Sequence, residues 1–497
     1  MKLSNLISNI EKSDARGDLS RDITSIAYDS RKVEAGCLFV AMRGVNTDGH
    51  QYIKAAIEKG ATAIIAENDL ILENIPVIKV PDSRAALAKL AECFYGYPAE
   101  ELDIIGVTGT NGKTSVTHMI AEALGANGIK TGIIGTLYVK IGNKIYPTNN
   151  TTPESLELQM YFSKMLEAGC KAVAMEVSSH GLHYNRVNGI KFRAGVFTNL
   201  TQDHLDLHHD LEQYFDAKKK LFDMIKPEEE GGFAIVNSDD WKVQELVSHL
   251  KVPYLSYGIY RRPDVRARNI KMSFAGTSFV AESDRWDIPI RMKPIGTFNI
   301  YNALAAVATC LKMNVPPVAI SRGFSNLPVV RGRFETIDEG QSFGVVVDYA
   351  HTPDGLKKIL ETARELTQRK LIVVFGCGGD RDRTKRPIMG EHAAEFGDLV
   401  IITSDNPRTE DPVSIINEIR PGVEKNGRDY VIEPDRRTAI FRAIESAKAG
   451  DLVVIAGKGH ETYQIFKDKT IHFDDAEVAR EAIGALAESS ATGAGQV

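Results

Sequence analysis

Apolar residues in the first hundred positions are spaced as in short strands that alternate with helices. Residues 61–66 and 77–80 form brief apolar runs, and residues 83–94 place apolar side chains at positions i, i+3, i+4 and i+7, which is the pattern of an amphipathic helix. Gly96 and Pro98 follow, and both residue types interrupt regular structure. The pattern predicts a first α/β domain that ends near residue 100.

From residue 102 the pattern becomes strand, loop, helix and strand. These elements are an apolar β-branched run at 102–108, a glycine-rich stretch at 109–113, an amphipathic segment at 114–124 and an apolar run at 131–135. Further runs with the composition of buried strands lie at 172–177, 195–199 and 233–237. Strands that alternate with helices predict a mostly parallel sheet.

A second alternating series begins after residue 333. Its predicted strands are residues 344–348, 370–375, 399–403, 430–433 and 451–456. The last dozen residues are rich in alanine, serine and glycine, which predicts a loose tail. A length of 497 residues also gives roughly three domains at about 150 residues each. We predict three α/β domains, namely an N-terminal domain at 1–100, a central P-loop-type domain with a mostly parallel sheet at 101–332, and a Rossmann-like C-terminal domain at 333–497.

The composition argues against several classes of protein. A content of 43% hydrophobic and 25% charged residues is typical of a globular protein, and a net charge of −6 provides no basic field for a nucleic acid. The five cysteines lack CxxC spacing, which argues against a disulfide framework or a zinc site. No apolar run reaches the ~18–20 residues of a membrane span. We expect a cytoplasmic monomer that binds neither nucleic acid nor membrane.

Residues 109–114, Gly-Thr-Asn-Gly-Lys-Thr, follow a predicted strand and open a predicted helix. Glycines let backbone N–H groups turn towards phosphate oxygens, and the helix N-terminus adds the positive end of its dipole. In such a loop Lys113 supplies charge to the phosphates and the Thr114 hydroxyl can bind Mg²⁺. The strict phosphate-loop pattern needs glycine where this chain has Val107, so a glycine-rich turn with a surface lysine is the alternative. The loop predicts a nucleotide site but leaves a kinase, a GTPase and a ligase open.

Residues 107–114 resemble the ATP loop of the Mur ligase family, which has the same shortened glycine spacing, and folylpolyglutamate synthases are similar at this loop. Further motifs that carry the family resemblance lie at 296–303, 332–335 and 348–354. The ATP-binding residues that the resemblance implies are Gly109, Thr110, Asn111, Gly112, Lys113, Thr114, Ser115, Asn299, Asn302, Arg333 and Asp348. His351 lies in the last motif, and we interpret it as a hydrogen-bonded loop histidine with a structural role.

Two predicted strand ends carry candidate metal ligands. Glu176 ends one strand and His204 follows the next, and the carboxyl ends of parallel strands meet at one edge of a sheet. In isolation, a strand-end glutamate is more often an ordinary surface residue. The resemblance implies Mg²⁺ ligands at Thr114, Glu176, His204 and Lys218, with Lys218 carbamylated to N6-carboxylysine. The catalytic residues that it implies are Lys113, Lys218, His204 and Arg333.

Two regions resemble the parts of the family that bind a UDP-linked precursor. The first is Asp29-Ser30-Arg31 with residues 36–39, and the second comprises residues 150–153 and 178–181. The precursor-binding residues that the resemblance implies are Ser30, Asn150, Thr151, Thr152, Ser178 and Arg186. The chain departs from some relatives at Tyr184, where they have glutamine. A serine between charged residues is otherwise typical of a turn or a helix cap.

Three motifs of the third domain bear on the incoming amino acid. They lie at 376–387, 405–408 and 457–461, and the first two taken alone would be a solvated basic loop and an Asn-Pro turn. Together they resemble the family's pocket for meso-diaminopimelate, with contacts at Arg381, Asp405, Asn406, Pro407, Arg408, Gly457 and Glu461. Arg408 favours diaminopimelate over lysine, because arginine binds a carboxylate with two parallel hydrogen bonds. The lysine-adding relatives lack this arginine.

The resemblance implies an ATP- and Mg²⁺-dependent ligase of peptidoglycan biosynthesis. Such an enzyme adds meso-diaminopimelate to UDP-MurNAc-L-Ala-D-Glu through an acyl phosphate. Three alternatives stay open at this point. They are a lysine-adding ligase of the same family, a folylpolyglutamate-type synthase, and a P-loop NTPase switch or binding module without ligation activity.

Overall fold

A computed structural model describes residues 1–44, 47–203, 205–208, 210–327 and 331–493 of the chain. Its strands form three large sheets that follow one another along the sequence, of five, eleven and six strands, and one two-stranded hairpin. Helices alternate with the strands of all three sheets, so the predicted α/β class is confirmed. The proposed domain limits near residues 100 and 332 stay a prediction.

The first sheet has the strand order β1-β5-β4-β3-β2, and its pairs are parallel except β1 with β5. Its elements are α1 (Leu3–Leu6), β1 (Asp14–Arg16), β2 (Ser25–Ala27), β3 (Cys37–Val40), α2 (Ile53–Glu58), β4 (Ala61–Ala66), β5 (Val77–Lys79) and α3 (Ser83–Phe94). Helix α3 has the predicted bounds and buries Ala86, Leu87, Leu90 and Ala91. It ends before Tyr97, which has a left-handed backbone with φ 58°, as the break at Gly96 and Pro98 predicts.

The second sheet surrounds strand β6 (Asp103–Thr108), which continues into the glycine-rich loop and helix α4 (Lys113–Ala126). The other strands are β7 (Thr131–Ile134), β8 (Val139–Ile141), β9 (Lys144–Tyr146), β10 (Ala172–Glu176), β11 (Ala194–Phe197), β12 (Phe233–Asn237), β13 (Tyr254–Gly258), β14 (Val265–Ser273), β15 (Gly276–Ser283) and β16 (Asp287–Met292). The other helices are α5 (Ser155–Glu167), α6 (Ser179–His183), α7 (Leu205–His208), α8 (Leu211–Asp223), α9 (Val243–His249), α10 (Thr297–Lys312) and α11 (Pro317–Ser325).

The middle of the second sheet is parallel, as predicted, and both edges are antiparallel. The antiparallel strands β14 to β16 were missed because only one of their faces is buried. Buried and more exposed residues alternate along β15 and β16, so these strands lack the continuous apolar run of a central strand. Helices α4 and α10 pack against each other in the largest apolar core.

The third sheet has the order β17-β18-β22-β19-β20-β21 and is parallel apart from β17. Its strands are β17 (Glu335–Thr336), β18 (Gly344–Asp348), β19 (Leu371–Phe375), β20 (Leu399–Ile402), β21 (Asp429–Ile432) and β22 (Leu452–Ala456), followed by the hairpin of β23 (Tyr463–Ile465) and β24 (Thr470–His472). Its helices are α12 (Pro353–Leu366), α13 (Lys385–Phe396), α14 (Pro412–Glu424), α15 (Arg436–Ser446) and α16 (Asp475–Gly493).

The prediction of a loose C-terminal tail is wrong for most of its length. Helix α16 continues to Gly493, and residues 494–497 lie outside the described part of the chain. Alanine and glutamate in this segment are strong helix formers, and the apolar side of the helix packs on the third sheet through Ala479, Ala482 and Ile483. Within the described residues, none of the helices has the length and apolar character needed to cross a membrane.

Parallel pairing brings the functional motifs to common sheet edges. In the second sheet Glu176 pairs with Val107 and Phe197 with Thr108, so β10 and β11 end beside the glycine-rich loop. In the third sheet β18, β19, β20 and β22 all end at one edge, where each is followed by a motif singled out in the sequence.

Candidate functional site

The glycine-rich loop between β6 and α4 needs its two glycines. Gly109 and Gly112 have φ values of 142° and 89°, a region that is costly for residues with a Cβ atom. A Cβ on Gly109 would overlap the hydroxyl of Thr198, and one on Gly112 would overlap Oδ1 of Asn302. The second glycine is also the residue that precedes α4, so the loop delivers free backbone N–H groups at a helix N-terminus, where anions bind.

Two lysines meet at the carbonyl oxygen of Gly109. Nζ of Lys113 donates to Gly109 O at 2.9 Å and to Thr110 O at 2.8 Å, and Nζ of the buried Lys218 donates to Gly109 O at 2.9 Å. Burial lowers the pKa of Lys113. Burial, followed by the charge of Lys113, holds the pKa of Lys218 well below its usual value. The environment of Lys218 therefore favours the neutral amine, which is the form that can react with CO₂.

The buried Glu176 carboxylate lies against the start of α4. It accepts hydrogen bonds from the Thr114 hydroxyl at 2.9 and 3.0 Å and from the backbone N–H and hydroxyl of Thr136 at 2.8 and 3.1 Å. The predicted metal ligands Thr114 and Glu176 are therefore in contact, and Lys218 is attached to the same loop. The fourth predicted ligand, His204, lies outside the described residues.

A cavity of about 590 Å³ opens between the phosphate loop and the third sheet. Seven predicted ATP-binding residues line it, and they are Asn111, Gly112, Thr114, Ser115, Asn302, Arg333 and Asp348. Gly109, Thr110 and Lys113 belong to the same loop but do not line the cavity. Asn299 does not line the cavity either. Its amide donates to Ile295 O at 2.8 Å and its Oδ1 accepts from Asn302 at 3.2 Å, so its contact is with Asn302.

Several lining residues of this cavity were missed by the sequence analysis. They include Asp239, Trp241, Tyr257, Tyr260 and Tyr301. Asp239 accepts hydrogen bonds from the Tyr301 hydroxyl at 2.8 Å and from the backbone N–H of Ile259 at 2.7 Å, which fixes this wall. Tyr301 belongs to the motif at 296–303, but the other four come from segments without a recognisable motif, so only the folded chain brings them together.

The third sheet contributes a cation and a carboxylate to the cavity. Nη2 of Arg333 lies 3.5 Å from the Thr114 hydroxyl, and its guanidinium stacks 5.0 Å from the centre of the Tyr349 ring. Asp348 accepts hydrogen bonds from the backbone N–H groups of Phe334 and Ala350 at 2.6 and 2.8 Å. Burial raises the pKa of Asp348 to about 6. The amide of Asn111 also donates to Asp354 at 3.0 Å, so the phosphate loop directly contacts helix α12, which follows the first parallel strand of the third sheet.

A second cavity, of about 250 Å³, lies at the carboxyl edge of the third sheet and is closed by His180, Gln202 and Asp203 of the central region. Six of the seven predicted diaminopimelate contacts line it, and they are Arg381, Asp405, Asn406, Arg408, Gly457 and Glu461. Pro407 does not line this cavity. Its carbonyl oxygen packs against Gly379. Cationic and acidic side chains therefore share one small cavity, as a zwitterionic ligand would require.

Arg408 is held in a constrained position at this cavity. Its backbone is left-handed with φ 52°, its N–H donates to Ile465 O at 3.0 Å, and Nη1 donates to Gly379 O at 2.8 Å. An unfavourable backbone conformation persists only where its surroundings enforce it. The guanidinium is thus fixed beside the loop that carries Arg381.

Two buried cations that the sequence analysis missed support the second cavity. Lys458, whose side chain is fully buried, donates to Glu461 at 2.9 Å and to Asn406 Oδ1 at 3.2 Å. Arg386 pairs with Glu410 and Glu418 at 2.8 Å and is also fully buried. Arg386 belongs to the motif that would be a solvated basic loop if taken alone, so this alternative is wrong for that residue.

The residues predicted to bind the precursor fall into two places. Thr152 and Ser178 are 3.1 Å apart through their hydroxyls, and Thr151 contacts Thr136 at 3.1 Å next to Glu176. Arg186 donates to Thr152 O at 3.0 Å and is 2.9 Å from Glu154. The exposed Asn150 lies beside this cluster in the sequence, with its carbonyl bonded to Thr148. Ser30 lies apart, at the start of a short 3₁₀ turn capped by Asp29.

The segment of residues 349–352 separates the two cavities. Tyr349, His351 and Thr352 line both of them. His351 makes the hydrogen bond predicted for a loop histidine, between Nδ1 and Tyr349 O at 2.9 Å. A reacting group in the first cavity and a nucleophile in the second would therefore meet at this segment.

Comparison with protein families gives three matches in consecutive parts of the chain. The model described as "Mur ligase family, catalytic domain" matches residues 22–95, "Mur ligase middle domain" matches residues 107–310, and "Mur ligase, glutamate ligase domain" matches residues 332–459. The matches together span most of the chain and include strands of all three sheets.

Similar proteins cover the chain almost from end to end. A UDP-N-acetylmuramoyl-L-alanyl-D-glutamate–2,6-diaminopimelate ligase of Syntrophomonas wolfei is 48% identical over 97% of this chain and 99% of the relative. The ligase of the same name from Geobacillus thermodenitrificans is 47% identical, again over 97% and 99%. A solved structure of a ligase with this name is 33% identical, has a TM-score of 0.69 and covers 98% of this chain and 99% of its own.

Proposed function

Because the chain belongs to the Mur ligase family, we propose that it joins meso-diaminopimelate to UDP-MurNAc-L-Ala-D-Glu with the hydrolysis of ATP, in peptidoglycan biosynthesis. The observation that carries the proposal is the pair of cavities on either side of residues 349–352. One cavity begins at a phosphate loop, and the other holds Arg408 among acidic and basic side chains. The names of relatives that are 47–48% identical over their whole length support the same activity.

The chemistry needs ATP because a carboxylate is unreactive towards an amine. In the proposed reaction a carboxylate oxygen of the D-glutamyl residue attacks the γ-phosphorus of ATP, ADP leaves, and an acyl phosphate forms. The amine of diaminopimelate then attacks the acyl carbon and phosphate leaves. Lys113 belongs to the phosphate loop, and Arg333 lies 3.5 Å from the Thr114 hydroxyl of that loop. Both side chains would neutralise the charge of the transferred phosphoryl group.

Magnesium fits the residues at the loop. The Thr114 hydroxyl and the Glu176 carboxylate are 2.9 Å apart, and oxygen ligands of this kind are those that Mg²⁺ prefers. Bound Mg²⁺ would screen the phosphate charges and orient the γ-phosphate. Lys218 would become a third oxygen ligand if its neutral amine adds to CO₂ and releases a proton, which leaves a carbamate. We retain His204 as the fourth proposed ligand.

The second cavity suits diaminopimelate better than lysine. Meso-diaminopimelate carries one carboxylate more than lysine, and a fixed guanidinium can bind that group with two parallel hydrogen bonds. Arg408, assisted by Arg381, would bind a carboxylate of the substrate. Glu461 is bonded to Lys458 and Asn406 through the same oxygen, Oε2, so its Oε1 is the oxygen we propose for the substrate ammonium group, beside the backbone of Gly457.

The precursor would extend from the first sheet to the place where its D-glutamyl carboxylate becomes the acyl phosphate. We propose Ser30 for the UDP end and Asn150, Thr151, Thr152, Ser178 and Arg186 for the muramoyl dipeptide. The hydroxyl cluster of Thr151, Thr152 and Ser178 lies next to Glu176, so a dipeptide bound there would bring its carboxylate towards the metal site. The family match at residues 22–95 supports a precursor site in the first sheet and counts against a folylpolyglutamate-type synthase.

Product analysis tests the proposed function directly. We expect mass spectrometry to show one diaminopimelate added to the precursor after incubation with ATP and Mg²⁺, and ADP release only when the precursor dipeptide is present. Addition of L-lysine instead of diaminopimelate would support the lysine-adding alternative. ADP release that does not respond to the precursor would support the NTPase switch and contradict a ligase.

A glycine substitution in the phosphate loop tests the nucleotide site. We expect Gly112→Ala to raise the Kd for ATP at least about tenfold, because the new Cβ would meet Asn302 and the residue would keep an unfavourable left-handed backbone. Gly125→Ala in the same helix is the matched control, since nothing lies within 4 Å of its added Cβ. Calorimetric titration with ATP measures both. Equal affinity of the Gly112→Ala variant and the wild type would contradict the nucleotide site.

Some predictions extend the proposal to the whole molecule. We propose the domain limits 1–100, 101–332 and 333–497, a monomer, and a cytoplasmic location where the nucleotide-linked precursor and ATP are present. Since contacts to ATP and to the amino acid come from different sheets, we also propose that the domains close on ligands. Solution scattering that shows no compaction with ATP, precursor and diaminopimelate would contradict closure.

A further inference from the structure

His351 lies where the two proposed reactants meet. It lines both the phosphate-loop cavity and the cavity that holds Arg408, and its backbone is fixed from two sides. Nζ of Lys385 donates to His351 O at 2.8 Å, and the next residue, Thr352, caps helix α12. These contacts give His351 a structural role in the loop, but none of them involves the second ring nitrogen, Nε2.

The hydrogen bond of His351 fixes its neutral tautomer. The partner of Nδ1 is the carbonyl oxygen of Tyr349, at 2.9 Å, and a carbonyl oxygen can only accept a hydrogen bond. Nδ1 therefore carries the proton of the neutral ring, and Nε2 has a free lone pair. Within the part of the chain that the structure describes, Nε2 makes no hydrogen bond, so it is available to accept a proton.

We propose that Nε2 of His351 accepts the proton that the incoming ammonium group must lose before its nitrogen attacks the acyl phosphate. The inference rests on the proposed ligase function and assigns a catalytic residue to it. The ammonium group transfers one proton to Nε2, and the resulting amine forms the new C–N bond. The bond between the acyl carbon and the phosphate oxygen breaks, and the second amine proton leaves with the phosphate.

Burial and the nearby cations favour the neutral ring of His351 before the reaction. Burial, followed by the nearby cation Lys385, lowers the pKa of His351 below its usual value, and Arg333 acts in the same direction. Asp203 faces the ring as the acidic group and favours the protonated form, so it would stabilise the imidazolium after proton transfer. The rings of Tyr349 and of His460, whose pKa is lowered to about 3, complete the surroundings.

Two substitutions separate proton transfer from loop structure. The side-chain nitrogen of His351→Asn can replace Nδ1 as a donor to Tyr349 O, but this variant has no basic nitrogen, and His351→Gln removes the base with a longer amide. We expect both to lower kcat for diaminopimelate ligation by about 10²–10³-fold, the usual contribution of a general base. His392→Asn, at a histidine on α13 paired with Glu395, is the control and should keep wild-type kinetics.

The first half-reaction and the pH profile give the decisive readouts. Hydroxylamine is neutral near pH 7.5, so trapping of the acyl phosphate as a hydroxamate should proceed at the wild-type rate in both variants. In the wild type, kcat/KM for diaminopimelate should fall as the pH drops through the lowered pKa of His351, below about 6.5. In the variants, kcat/KM should not level off above this pH. It should keep rising with pH, because more of the substrate amine is then neutral.

Each outcome decides the inference. Ligation by His351→Asn at the wild-type rate would overturn it, and so would an equal loss of hydroxamate and ligation, because either result indicates a role only in loop structure or in ATP chemistry. The proposed function fails separately, if the wild type forms no diaminopimelate product. In that case, hydroxamate formation by the wild type would still show that an acyl phosphate is made.

Discussion

Lys218→Ala is expected to lower kcat for ligation by about 10³-fold. The substitution removes a proposed metal ligand, and it changes the balance of charges at the phosphate loop. The amine of Lys218 is buried, lies 2.9 Å from Gly109 O and has a pKa held well below its usual value. Those conditions favour the neutral amine, which can add to CO₂. Steady-state kinetics with saturating ATP and Mg²⁺ measures the loss.

Carbamylation makes two further results specific to this lysine. Mass spectrometry of the native protein in bicarbonate should show an addition of one CO₂, and a small carboxylate such as formate should partly restore Lys218→Ala by replacing the missing oxygen ligand. Lys220→Ala is the matched control, because Lys220 lies on the same helix with an exposed side chain. A fully active Lys218→Ala variant would exclude the proposed ligand, and lack of both the addition and the rescue would exclude the carbamate.

Arg408→Ala is expected to lower kcat/KM for diaminopimelate by about 10²–10³-fold and to leave the KM for ATP unchanged. The guanidinium is fixed by Gly379 O and by a left-handed backbone, so its loss would leave a substrate carboxylate without its main partner. Arg408→Lys should recover only part of the activity, since an ammonium group cannot form two parallel hydrogen bonds. Kinetics with diaminopimelate and with L-lysine measures the specificity ratio.

A control and an opposite outcome complete this test. Arg420→Ala on α14 removes an exposed arginine that pairs with Glu424, and we expect wild-type kinetics from it. If Arg408→Ala weakened the use of ATP and of diaminopimelate equally, the residue would support the fold and not bind the substrate. If the variant used diaminopimelate with wild-type efficiency, the assignment of the amino acid would have to rest on other residues.

The local pattern of residues determined the secondary-structure elements and the phosphate loop. Runs of β-branched residues gave the central strands within one or two residues, since a parallel strand buried on both faces needs a continuous apolar run. The loop from Gly109 to Thr114 is equally local, because its glycines, lysine and helix start are consecutive. A pattern of this kind can be recognised without knowing what lies around it.

The second cavity shows where a local pattern is insufficient. The motifs of Arg381, Arg408 and Glu461 were found by resemblance, yet Pro407 points its carbonyl to Gly379 and not to the cavity. Lys458 and Arg386 lie within two of these motifs but were given no role, although their buried ion pairs hold the cavity together. Asn299 is predicted to contact ATP, and in the structure it accepts a hydrogen bond from Asn302 and does not line the cavity.

By itself, the sequence determined the α/β class, the strands and helices with strong periodicity, and the phosphate loop, because each of these depends on residues that are neighbours in the chain. Only the tertiary structure decided that two cavities meet at residues 349–352, that His351 carries an accepting Nε2, and that Lys218 has a buried amine. These properties depend on the parallel ends of strands far apart in sequence, and on the loss of water around each group.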